Sequence, residues 1–189
     1  MLFSRFIKRR DAIAGAGLFA LGIRGRSSPA ATIKEVGRVE ARLAELRVTI
    51  PEVPAAVANY VPYVTTGNLV YLAGQIAIRD GRLLHPGVVP AEVSIEAAQA
   101  AARECAINLL AALRSACNGR LDRVVRCVRL DGFVASANDF TQQPLVMNGA
   151  SDLLVSVFGD AGRHTRLAIG VNVLPLNACV EIAGVFEIE

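Results

Sequence analysis

One largely apolar stretch of this 189-residue chain keeps two charges at its ends. In RHTRLAIGVNVLPLNACVEI, residues 163–182, Arg166 opens the run and Glu181 closes it, fifteen positions later. An arginine presents a planar fork that meets a carboxylate at two points. A glutamate can hold a water and take its proton as that water adds to an electrophilic carbon. Together they suit hydrolysis of a small anion. They also suit a plainer arrangement, a solvated edge cation with a surface partner, worth less than about 1 kcal/mol. Along this stretch Leu167, Ile169, Val171 and Val173 are bulky, whereas Arg166, Ala168, Gly170 and Asn172 are polar or small. Strand alternation puts the two sets on opposite faces. The bulky set is expected to form the core face, and Arg166 to sit on a roomy one.

The elements that must position this pair are legible in outline. Ile33, Val36, Val39, Leu43 and Leu46 recur at helical spacing until Pro51 and Pro54 end the helix. In YVPYVTTGNLVYLAGQ, residues 60–75, Gly67-Asn68 separates two β-branched or aromatic runs, the mark of a hairpin. Asp80-Gly81 marks a further turn, and residues 82–93 read as a loop. Ser94 caps a long helix striped by Ile95, Ala98, Ala102, Cys105, Leu109, Leu113 and Ala116, which Asn118-Gly119 stops. Residues 124–134 alternate as a strand, Pro144 to Phe158 forms a second long helix, and a closing hairpin turns at Pro175-Leu176-Asn177. On its second strand Val180, Ile182, Phe186 and Ile188 share one face, and Glu181, Ala183, Val185 and Glu187 the other. Strands in pairs with helices on one face argue for α+β rather than a parallel α/β sheet.

Composition limits the alternatives. The chain is 53% hydrophobic and 20% charged, as a globular domain is. Its formal charge of +3 comes from the first thirty residues, which hold six cations and one anion and leave a net −2 for the rest. That balance disfavours a phosphate-backbone surface, so no nucleic-acid partner is expected. Cys105, Cys117, Cys127 and Cys179 form no CxxC pair, and neither His85 nor His164 stands at ligand spacing, so no metal site is expected. Buried free thiols fit better.

Residues 1–30 read as a leader. Lys8-Arg9-Arg10 precedes an apolar stretch from Ala12 to Ile23, too short to span a bilayer, and Ser28-Pro29-Ala30 offers small residues for cleavage. The paired arginines resemble a twin-arginine signal. Export to the periplasm without a stable membrane anchor is the expectation. A cytoplasmic protein with a mis-assigned start is the alternative. Residues 31–189 then form one domain.

Three strings carry a family resemblance: G-N-L-V-Y-L-A-G-Q at 67–75, N-L-L-A-A-L at 108–113, and R-x-x-x-G-V-x-x-L-P-L-N-A-x-V-E-I at 166–182. Together they resemble the RidA/YjgF family of imine deaminases, once labelled L-PSP endoribonucleases, from about Thr32 to Glu189. NYVPYVTTGNLVYLAGQ and NGASDLLVSVFGDAGRH resemble a branch with an extra N-terminal helix. The resemblance implies a chorismate-mutase-like α+β fold, an antiparallel-rich sheet with helices on one face. It also implies a homotrimer with a cleft at each subunit interface. Arg166 would grip the substrate carboxylate, Glu181 would handle the attacking water, Tyr60 would line the cleft, Gly74 would bring backbone to the substrate and Asn148 would add a polar contact. Two positions depart from the family pattern: Ala73 and Leu167 stand where many relatives have serine.

The implied reaction is hydrolysis of 2-imino acids or their enamines, such as 2-aminoacrylate, 2-iminopropanoate and 2-iminobutanoate, to 2-oxo acids and ammonia. An iminium carbon is already electrophilic, so no cofactor is expected. The alternatives are a non-catalytic trimeric module that binds small carboxylates and, third, a ribonuclease.

Overall fold

A computed structural model describes residues 37–53 and 59–189; the leader, Ile33 and Val36 lie outside the described residues. The first helix, α1 (Arg38–Glu45), buries Val39 and Leu43. Its free N-terminus is met by another segment. Asp122 Oδ1 accepts from the Val39 N–H at 3.2 Å, and Glu40 Oε1 accepts from the Leu121 N–H at 3.3 Å. The exchange satisfies donors that a helix end leaves unpaired.

The remaining elements are β1 (Tyr63–Thr66), β2 (Leu69–Ile76), β3 (Ile78–Arg79), β4 (Arg82–Leu83), α2 (Ile95–Ala116), β5 (Val124–Ala135), α3 (Gln143–Phe158), β6 (Thr165–Val171) and β7 (Val180–Ile188). The expected hairpin is present, with β1 and β2 antiparallel in register from Tyr63↔Leu72 to Thr66↔Leu69. Part of the expected loop after Asp80 pairs instead, as the short β3–β4 ribbon. Ser94 caps α2 by accepting from the Ala97 N–H at 3.2 Å. Asn118 and Gly119 stop that helix with φ of 54° and 82°, the left-handed backbone that ends helices.

The main sheet has the order β1-β2-β7-β5-β6 and is antiparallel except for the β5–β6 pair. The long helices lie together on one face, α2 over β2 and β7, α3 over β5 and β6. Between helices and sheet sit Leu109, Leu110, Leu113, Met147, Leu154, Leu130, Ile182 and Phe186, all essentially without solvent contact. This is an α+β domain with helices on one face, as expected. All four cysteines are buried and unpaired. Burial pushes the Cys127 thiol up to about 12 and the Cys179 thiol up to about 11, so neither forms a reactive thiolate.

The closing segment departs from expectation. β6 and β7 are not a hairpin. β6 pairs parallel to β5, and β7 inserts between β2 and β5. A parallel pair needs a long crossover, and α3 supplies it between β5 and β6. The turn containing Pro175–Asn177 therefore carries the chain past β5 to a central position. The faces of β6 are also the reverse of those expected. Leu167 and Ile169 lie on the exposed side, while Ala168 packs on the core. The reason is the close approach of neighbouring side chains: a Cβ at Gly170 would lie 2.6 Å from Ser136 Oγ and 2.8 Å from Gln143 Nε2. Small residues are what that side accommodates.

Candidate active site

Arg166 stands on edge strand β6 and turns toward α3. Its Nη1 donates to Asn148 Oδ1 at 3.0 Å and to Ser151 Oγ at 3.1 Å. Asn148 and Ser151 are three apart on α3, so both lie on one helix face. Both partners are neutral, and among the described residues no carboxylate lies within ion-pair distance of Arg166. The guanidinium is thus held through one nitrogen, while its other N–H groups keep a charged edge for an anion. Ser151 was not singled out from sequence, although its i,i+3 spacing from Asn148 was there to be read.

Glu181 belongs to a different part of the surface. Along β7 the residues Val180, Ile182, Phe186 and Ile188 are buried under the helices, and Glu181, Ala183, Val185 and Glu187 alternate with them on the outer face. Glu181 reaches across to β2, where a Cβ built at Gly74 would meet Glu181 Oε1 at 2.1 Å. A register shift between Leu72 and Gln75 bends β2 at this point. Burial raises the Glu181 carboxyl above its ordinary range; a carboxylate with little water around it holds its proton longer. Among the described residues, nothing donates a hydrogen bond to it. Tyr60 and Gly74 line one cavity of about 480 Å³, together with Pro62, Gln75, Asn108 and Leu176. Asn108 fixes the local backbone by donating to the carbonyls of Ile76 and Ile78, each at 3.0 Å.

The five residues singled out therefore fall into two groups: Arg166 with Asn148, and Gly74 with Glu181 against it on one hand and Tyr60 across a shared cavity on the other. One chain does not bring the groups together. Leu130 pairs with both Arg166 and Gly184. Glu181 is thus two strands from Arg166, about 10 Å across the sheet and about 10 Å along it, and on the opposite face. A small imino acid cannot bridge that.

The family model described as "YjgF/chorismate mutase-like, putative endoribonuclease" matches residues 40–187. The chain belongs to the YjgF family. Protein TCP17 of Trypanosoma cruzi is 42% identical over 154 residues, covering 81% of this chain and 96% of that protein. Among solved structures, the protein Atu1372 of unknown function from Agrobacterium tumefaciens is 45% identical, covers 79% of this chain and 91% of its own, and superposes with a TM-score of 0.74. A "putative endoribonuclease" from Shewanella oneidensis is 35% identical, covers 80% and 100% of the two chains, and gives a TM-score of 0.77. The residues matched by the family model include Tyr60, Gly74, Asn148, Arg166 and Glu181, and the fold is the chorismate-mutase-like one of the family.

Proposed function

We propose that this protein hydrolyses 2-imino acids and their enamine tautomers to 2-oxo acids and ammonia, in clefts formed between copies of the chain. The observation that carries this reading is the state of Arg166: a guanidinium tethered by Asn148 and Ser151, without a counter-ion among the described residues. That is a prepared seat for one carboxylate. In the proposed cycle Arg166 holds the substrate carboxylate and orients the C=N carbon. Glu181 of a neighbouring copy positions a water and takes its proton as the water adds. The proton then passes to the nitrogen, and ammonia leaves as the carbonyl forms.

Two surfaces favour a ring of copies. Arg166 lies at the β6 edge of the sheet, and Glu181 lies toward the β1–β2 side on the other face. Joining two different patches head to tail closes a ring when the rotation allows it, and a trimer is the size proposed. The outer sheet face also exposes Val64, Tyr71, Leu167 and Ile169, an apolar surface of the kind that copies cover. The periplasmic location remains part of the proposal through the leader.

The test is coupled turnover of freshly generated 2-aminoacrylate. Faster pyruvate release by wild type, lost in Arg166→Ala, supports the deaminase. Tight binding of 2-oxo acids by calorimetry without turnover replaces it with a carboxylate-binding module. Cleavage of RNA at comparable protein concentration, with imino acids untouched, replaces it with a ribonuclease.

A further inference from the structure

Behind Arg166 runs a chain of hydrogen bonds whose direction is fixed at both ends. His164 Nδ1 lies 2.7 Å from the Gly162 carbonyl oxygen, and His164 Nε2 lies 3.2 Å from Ser151 Oγ. Ser151 Oγ in turn lies 3.1 Å from Arg166 Nη1. A carbonyl only accepts, so Nδ1 must carry the hydrogen. A guanidinium only donates, so Ser151 must offer it a lone pair. Burial, opposed by the Gly162 carbonyl and aided by the nearby Arg166 charge, lowers the affinity of His164 for a second proton. The imidazole is then neutral, Nε2 is bare, and the Ser151 hydroxyl hydrogen points to it.

We propose that His164 is a positioning residue for the carboxylate grip: it holds the Ser151 hydroxyl turned away from Arg166, so that Ser151 and Asn148 both accept from Nη1 and the free edge of the guanidinium is aimed outward. This rests on the deaminase reading above, which needs that edge. Without the acceptor at position 164, the hydroxyl rotates freely and can turn its hydrogen toward Arg166. The guanidinium then loses one of its two tethers. The substrate still meets Arg166, but a looser one. The effect falls on binding of the carboxylate and not on the water-activating half, which contains none of these atoms. Of the other charges near this segment, Arg163 pairs with Asp160 and Arg129 with Asp131 on β5, and Asp152, beside Ser151 on α3, is exposed.

The experiment combines an activity-free readout with kinetics on the full protein. The chain has two histidines, His85 and His164, so the imidazole nitrogen spectrum holds two sets of signals and His164→Gln assigns them. The Nδ1–H form is expected at His164; the Nε2–H form overturns the proposal and leaves the deaminase reading intact. In 2-aminoacrylate turnover, His164→Leu and Ser151→Ala each should raise KM about 2- to 12-fold with kcat little changed, the net worth of one ordinary hydrogen bond. The double variant should be no worse than either single one, because both break the same chain. His164→Gln, which retains an acceptor near the position of Nε2, should recover part of the loss. Because His164→Leu risks misfolding, Ser151→Ala alone gives the decisive kinetic result: a fall in kcat with KM unchanged overturns the proposal, and so do additive effects where the double variant folds. A wild-type protein that neither turns over imino acids nor binds 2-oxo acids sinks the deaminase reading itself, and the grip with it.

Discussion

Glu181 Oε1 occupies the space that a side chain at position 74 would need: a Cβ built at Gly74 stands 2.1 Å from it. The residue before Gly74 is Ala73, without the hydroxyl that many relatives of the family pattern carry there. The glutamate therefore rests against bare backbone. Gly74→Ala is expected to push the flexible carboxylate aside and to leave the sheet in place. A displaced reacting group of this kind costs about 10- to 100-fold in rate. Expected are a fall of that order in kcat and a melting temperature within a few degrees of wild type. Unchanged kcat would show that the position of Glu181 is not used.

Glu181 should also trade stability for function. Burial raises its carboxyl in the folded protein. A carboxyl whose folded value lies above the unfolded one contributes stability below the unfolded value, and loses it as pH rises through the folded value. Near neutral pH the wild type holds this carboxylate ionised at a cost. Glu181→Gln removes the charge. It should melt at or above the wild-type temperature at about pH 7, with the difference shrinking toward about pH 4. Turnover should fall by about 10²- to 10⁴-fold through loss of the base. Thermal melts at the two pH values, set beside the rates, check both halves.

Arg166 should separate shape from charge. Arg166→Ala removes the grip, and KM should rise about 10- to 100-fold, the worth of hydrogen bonds between charged groups. Arg166→Lys keeps the charge and loses the fork, so it should recover only part of that loss. Full recovery by lysine would mean that a point charge is all the site needs. Steady-state KM values for 2-aminoacrylate decide between these outcomes.

The elements were legible because their local signals are strong: a Ser94 cap, a Gly67-Asn68 turn, left-handed stops at Asn118 and Gly119, and alternation along β5 and β7. What the local pattern did not contain was pairing. β6 and β7 lie close in sequence and are joined through Pro175-Leu176-Asn177, which reads as a hairpin, yet β5 lies between them. Partner choice is decided by α3 crossing over β5 and by the apolar demand of a central position, neither of which is written within residues 166–182. The faces of β6 misled for the same reason. At an edge pressed against Gln143 of α3 and Ser136 just past β5, the core side takes the small residues, and bulk alone points the wrong way. The residues proposed for each half-site were singled out through family motifs. Their division between two faces was not legible, because a fifteen-residue spacing says nothing of which strands separate the ends. Ser151 and His164 both lie in the string NGASDLLVSVFGDAGRH, yet nothing in its spacing shows that they meet behind Arg166.

That division makes the strongest test of the proposed assembly. If each cleft takes Arg166 from one copy and Glu181 from the next, a ring of Arg166→Ala subunits and a ring of Glu181→Gln subunits are both nearly silent when substrate is held well below the wild-type KM. Subunits exchanged between them are not all inactive. An Arg166→Ala copy still offers Glu181, and a Glu181→Gln copy still offers Arg166. Wherever the two meet in the right order, one cleft is whole. Random mixing in equal amounts gives that order at about a quarter of the interfaces of a closed head-to-tail ring. Partial unfolding and refolding of the mixture should therefore restore about a quarter of wild-type turnover. A site built within one chain predicts no recovery at any mixing ratio, because every copy would lack one of its two charges. Sedimentation of the refolded mixture, read beside the activity, shows whether the recovered turnover travels with a three-copy species, as the proposed ring requires.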